Sequence, residues 1–117
     1  MKKIDIKGSD YVMVNERIKA FRETHPLGSI LTKIESLNDG VVVMKCEVVV
    51  DGHVVAVGHA CEKDGSSFIN KTSYLENCET SAIGRALGVL GIGIDTSIAS
   101  YEEVANAKKQ QSSDFNL

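Results

Sequence analysis

Hydrophobic and polar positions alternate most regularly between residues 29 and 62. Val41 to Val50 is rich in β-branched residues, and period two places Val42, Met44, Cys46, Val48 and Val50 on one face of a strand. Ser29 to Leu37 predicts the preceding strand, with Asn38-Asp39-Gly40 as a tight turn. Asp51-Gly52 is a two-residue hairpin signal, because a type I′ turn needs positive φ at both central residues. His53 to Glu62 predicts a third strand. Its small residues Ala56, Gly58 and Ala60 share one face, so a bulky group or a helix is expected close against it.

Helical periods flank this meander. Val14, Ile18 and Phe21 fall at i, i+4 and i+7, which predicts an amphipathic helix from Val14 to about Thr24. Glu16, Arg17, Lys19, Arg22 and Glu23 occupy the rest of its surface, and His25-Pro26 ends it. Residues 1–13 have no firm period, although Ile4 and Ile6 alternate as in a short edge strand. Lys63 to Thr72 reads as a polar loop containing Phe68. Ser73 and Glu76 then have capping-box spacing, opening a helix from about Tyr74 to Leu90.

Along that helix Leu75, Cys78, Ala82, Ala86 and Val89 form a stripe, and Ala82, Gly84, Ala86 and Gly88 make it thin. Interior glycines cost about 1 kcal/mol each, so close approach to another backbone is expected. Gly91-Ile92-Gly93 ends the helix, and Ser100 to Glu103 opens a short one reaching about Lys109. The expected fold is α+β: an N-terminal helix, an antiparallel three-stranded meander, and a long C-terminal helix packed on the sheet. Residues 1–109 form one domain and 110–117 a disordered tail.

Composition narrows the function classes. The 117 residues carry 13 Lys and Arg against 16 Asp and Glu, a net charge of -3, which argues against a generally basic coat but allows a local basic groove. No apolar run is long enough to span a bilayer and the start lacks a signal-peptide centre, so the expectation is a cytoplasmic protein with no membrane role. Cys46, Cys61 and Cys78 are an odd number without a close-spaced pair and read as reduced, packed thiols.

Candidate chemistry is sparse. His25, His53 and His59 have no recognisable partner motif, and Glu76 and Glu79, one turn apart, read as capping and solvated carboxylates. Cys46, His59 and Cys61 lack the paired spacing of a structural metal site. The glycines at 84, 88, 91 and 93 lie inside and after a helix, not at the strand-to-helix turn of a nucleotide fingerprint. No catalytic residue, metal or cofactor is therefore expected, and the chain is not read as an enzyme.

Binding remains. Lys63, Lys71 and Arg85, with Phe68 and Tyr74 between them, cluster along the loop and the helix it enters. A free helix start, cations and aromatic faces suit a sugar-phosphate backbone with stacked bases. An ordinary surface loop with scattered lysines accounts for the same residues, and single-strand binders usually carry more positive charge.

The segment from Asn70 to Gly88, Asn-Lys-Thr-Ser-Tyr-Leu-Glu-Asn-Cys-Glu-Thr-Ser-Ala-Ile-Gly-Arg-Ala-Leu-Gly, resembles phage and prophage single-strand annealing proteins, the broad group of the ERF, Sak and eukaryotic Rad-type annealases. Element order over roughly residues 11–107 resembles that group as well. The resemblance implies single-stranded DNA as partner, ATP-independent strand annealing in recombination, and homo-oligomeric rings or filaments. By position it implies a DNA contact at Arg85 and, more weakly, at Lys71; Lys63, Phe68 and Tyr74 come from the loop reading alone. A second expectation, of another class, is a protein-interaction or small-ligand module on the same fold without DNA binding.

Overall fold

The computed structural model describes residues 3–6, 9–94, 98, 99, 101–105 and 107. In chain order the elements are β1 (Lys3–Ile6), β2 (Ser9–Val12), α1 (Val14–Thr24), β3 (Ser29–Asn38), β4 (Val41–Val50), β5 (His53–Lys63) and α2 (Asn70–Leu90). A further helical turn covers residues 101–105. β1 and β2 pair as a separate antiparallel hairpin, while β3, β4 and β5 form an antiparallel sheet with β4 in the centre. The expected α+β architecture is the observed one. The tail at 110–117 lies outside the described residues.

Both turns of the three-stranded sheet follow the local chemistry. Asp39 and Gly40 (φ 52° and 71°) and Asp51 and Gly52 (φ 52° and 78°) all take positive φ, which matches the right-handed twist of the strands they join. On β4 the expected alternation is present: Val42, Met44, Cys46 and Val48 are buried, and the residues between them are half-exposed. The register carries that face across the sheet, with Ile30, Thr32 and Ile34 of β3 and Ala56, Gly58 and Ala60 of β5 beside it.

α2 lies on this inner face, mainly over β5 and β4. Contact is closest at Gly58, where an added Cβ would sit 2.4 Å from the Ala86 backbone nitrogen and 2.8 Å from the Ala82 carbonyl oxygen. The small residues of β5 thus admit a helix backbone. Cys78, Ala82, Ala86 and Leu87 complete the core with Phe21 and the inner residues of β4. Val89, expected on this stripe, is 55% exposed.

Two local expectations need correction. α2 gains a first turn from Asn70 ahead of the expected start, and the non-helical Ser73 (φ −142°, ψ 38°) separates that turn from the helix running on from Tyr74. The Ser73 hydroxyl meets that of Thr72, 3.2 Å away, instead of closing a capping box. The helix glycines also differ in purpose. Gly88 makes room for a side chain: its Cβ would lie 2.8 Å from Arg17 Nη1.

Arg17, assigned by pattern to the polar surface of α1, is fully buried. Its Nη1 donates to the carbonyls of Gly84 (2.7 Å) and Ile98 (2.8 Å), and Nη2 donates to that of Gly93 (3.3 Å). One guanidinium thereby ties α1, α2 and the segment after α2 together. A buried charge survives where hydrogen bonds replace its hydration. Burial lowers the Arg17 pKa; Glu103 and Glu102 act against that shift and Arg85 acts with it.

Gly58→Ala is expected to destabilise the fold by about 1–3 kcal/mol, the usual range for overpacking, because the obstacle is backbone. A urea midpoint equal to that of the parent would contradict the packing described. Arg17→Met keeps most of the volume but strands buried carbonyls, with an expected loss of about 2–4 kcal/mol. Hydrogen exchange should then speed up around Ile98 together with α1, and protection unchanged there would exclude the tie.

Candidate functional site

The loop between β5 and α2 is built around Asn70, which is fully buried. Its Nδ2 donates to Glu62 Oε2 (2.7 Å) and Ser66 Oγ (2.9 Å), and its Oδ1 accepts from Asn77 Nδ2 (3.0 Å). Its backbone nitrogen donates to Ser67 Oγ (3.2 Å), and its carbonyl accepts from the Gly65 nitrogen (2.9 Å). Ser66 Oγ closes the loop onto the Lys63 carbonyl (2.7 Å). Asp64 nitrogen donates to the Gly40 carbonyl (2.7 Å), pinning the β3–β4 turn alongside. The amide of Asn70 can make few further bonds, and a fully satisfied buried network specifies one conformation.

This frame turns several side chains outward. Lys63 and Lys71 are exposed, Phe68 is 72% exposed and Ile69 is 46% exposed. Among the described residues neither lysine is held in an ion pair. Tyr74 is half-buried and packs against the core, so its ring belongs to the edge of the helix–sheet contact. The start of α2 is not open: the amides of Lys71, Thr72 and Ser73 donate to carbonyls of Ser67, Phe68 and Ile69. Its first turn has no acidic residue.

Arg85 stands apart from this group. Fourteen residues beyond Lys71, it lies about 20 Å further along the helix at about 1.5 Å per residue. Its Nη2 is 2.9 Å from Glu103 Oε2, with the Arg85 side chain 44% exposed. Desolvation raises the Glu103 carboxyl above its ordinary pKa even though Arg85 opposes that shift. The structure therefore brings Lys63, Phe68 and Lys71 together, sets Tyr74 at their margin, and places Arg85 in a separate cluster with Glu103 and the buried Arg17.

A groove of about 420 Å³ between α2 and β3 is lined by Thr32, Ile34, Met44, Leu75, Glu76 and Glu79. Thr32 Oγ1 donates to Glu79 Oε2 at 2.7 Å, so that carboxylate is anchored to the sheet. Cys46 pairs with Gly58 on the inner face, whereas His59 and Cys61 sit on the outer face, so these three do not converge. Burial pushes the Cys46 and Cys78 thiols up to about 11, leaving the exposed Cys61 as the accessible one. Among the described residues no helix is long and apolar enough to cross a membrane.

Asn70→Leu should cost about 1–3 kcal/mol by orphaning polar groups of the network. It should also accelerate amide exchange at Gly65 and Asn70. Protection of those amides equal to that in the parent protein would show that the loop is ordered by something else.

No curated protein and no solved structure matches the chain. A protein-family model does, over residues 18–90, from inside α1 to the end of α2. That match corrects the resemblance to the ERF, Sak and Rad-type annealases. The segment that carried it, Asn70 to Gly88, is explained by packing: two asparagines hold the loop, and small residues accommodate β5 and Arg17. A helix, three strands and a helix is an element order that does not by itself separate one family from another. The matched family is described as Slr1353 N-terminal dsRNA-binding domain-like, and with more than half of its length inside the match this chain belongs to it.

Proposed function

We propose that this domain is a nucleic-acid-binding module without a reaction of its own, and that it engages nucleic acid through the β5–α2 loop. Membership of a family described as dsRNA-binding domain-like carries this reading, and it favours duplex RNA as the ligand. The local geometry supports it. Lys63 and Lys71 present two ammonium groups from a loop ordered before any ligand arrives, with the β3–β4 turn beside it. Preorganisation lowers the entropic cost of binding. Sequence-independent contacts of this type act on phosphates and position a protein on its ligand.

A second reading, single-strand binding, is favoured by one observation: the 72% exposure of Phe68 between the two lysines. An exposed ring flanked by cations suits stacking on an unpaired base. In a duplex the bases are already stacked, and the same ring would contribute little.

Lys71→Ala and Lys63→Ala should each weaken binding uniformly across sequences and reduce the salt slope by about one. Fluorescence anisotropy on duplex RNA and on a single-stranded DNA oligonucleotide, titrated with salt, measures both. Phe68→Ala separates the readings. A loss of about 1–3 kcal/mol confined to the single strand supports stacking, while an effect on neither ligand leaves the duplex reading. A parent protein that binds neither nucleic acid would refute the proposal.

A further inference from the structure

The helices occupy one face of the sheet, and no described element covers the other. The register places three nitrogen-bearing side chains in a line across that outer face: Lys33 of β3 opposite Lys45 of β4, and Lys45 opposite His59 of β5. At about 4.8 Å between strands the row is about 10 Å wide. Lys33 and His59 are exposed, and Lys45 is half-exposed with its ammonium 3.1 Å from Glu47 Oε1. Lys63 lies on the same face, four residues along β5 from His59 and about 13 Å away.

Like charges directly opposite one another destabilise a pair of strands. Lys33 and Lys45 are such a pair, in a chain whose net charge is -3. We propose that this row is a second contact for nucleic acid, binding the phosphodiester backbone across the outer sheet face and leading through Lys63 to the loop. The inference rests on the nucleic-acid reading above and adds a surface to it.

Charge decides the occupant. On this face Glu47 already neighbours Lys45, and exposed Glu35 stands in the bulge two residues from Lys33, so two carboxylates accompany Lys33, Lys45 and Lys63. The remaining outer positions, such as Leu31, Val43, Val57 and Ser36, include no aromatic ring, so contact is through phosphates and carries no base preference. A second copy of the chain, stacked face to face through Leu31 and Val57, would have to bury the row against its own like charges. A polyanion relieves that repulsion.

The test is the double variant Lys33→Glu/Lys45→Glu in the full chain, against the parent and Lys71→Ala, on the same duplex RNA and single-stranded DNA. Affinity is expected to fall at least about tenfold at low salt, with the salt slope reduced by about two. Lys33→Gln/Lys45→Gln should show the slope change without added repulsion, and circular dichroism establishes that both variants fold. If the parent binds, Lys71→Ala weakens binding and both double variants match the parent, the sheet-face inference fails while the loop reading stands. A parent that binds neither ligand overturns both. A changed association state by light scattering, with unchanged nucleic-acid affinity, overturns the row in favour of a second copy.

Discussion

A helix backbone rests directly on a strand at Gly58, and most of the arrangement follows from that closeness. With Cβ absent there and only methyl groups at Ala56 and Ala60, α2 settles onto β5 until peptide atoms meet. Such proximity leaves space for Cys78, Ala82 and Ala86 but none for larger side chains along the seam. It also directs α2 toward β5 and away from β3, which opens the groove lined by Glu76 and Glu79. α1 then packs beside α2 through Arg17, whose guanidinium occupies the room left by Gly88. Both helices end on one side, and no described element covers the opposite side of the sheet.

Polar groups complete what apolar packing cannot specify. Hydrophobic burial is non-directional, so it fixes the layers but not the course of the loop from Lys63 to Lys71. Asn70 does that, because each of its polar atoms has a defined acceptor or donor and its burial makes loss of any of them costly. Arg17 has the corresponding role at the other end of α2, with backbone carbonyls as acceptors. The domain is thus latched at both ends of its long helix by hydrogen bonds buried in otherwise apolar surroundings.

The three meander strands and α1 were legible because short-range rules determine them, whereas β2 and its pairing with β1 were not. Period two in Val41–Val50, two Asp-Gly turns and the proline after His25 each act within a few residues, and observed boundaries agree with them closely. Long-range placements were not legible. Arg17 sits on an apolar stripe between Val14 and Phe21, yet only the carbonyls 67 to 81 residues away make its burial tolerable. The helix running on from Tyr74 follows the break at Ser73, but the turn at 70–72 before it was not legible, because buried Asn70 is held by contacts to Glu62 and Asn77. Of the candidate site, the lysines and Phe68 of the loop were visible as residues. The separation of Arg85 from them required knowing where Glu103 returns.

The row of Lys33, Lys45 and His59 was hidden for a related reason. It exists only in the register, which a bulge between Ile34 and Ser36 interrupts on β3 and a second one at Val55, opposite Val48 and Val49, interrupts on β5. Counting along the chain shows isolated basic residues, whereas pairing across it shows a line. Net charge is equally uninformative, because it sums over both layers: Glu76, Glu79, Glu102 and Glu103 lie on or near the helices, whereas Lys33, Lys45 and Lys63 share the outer sheet face with Glu47. A sheet and a helix layer are separated by about one Debye length at physiological ionic strength, roughly 8–10 Å. A ligand on the outer face therefore experiences chiefly the charges nearest to it, and an acidic protein can present a basic surface.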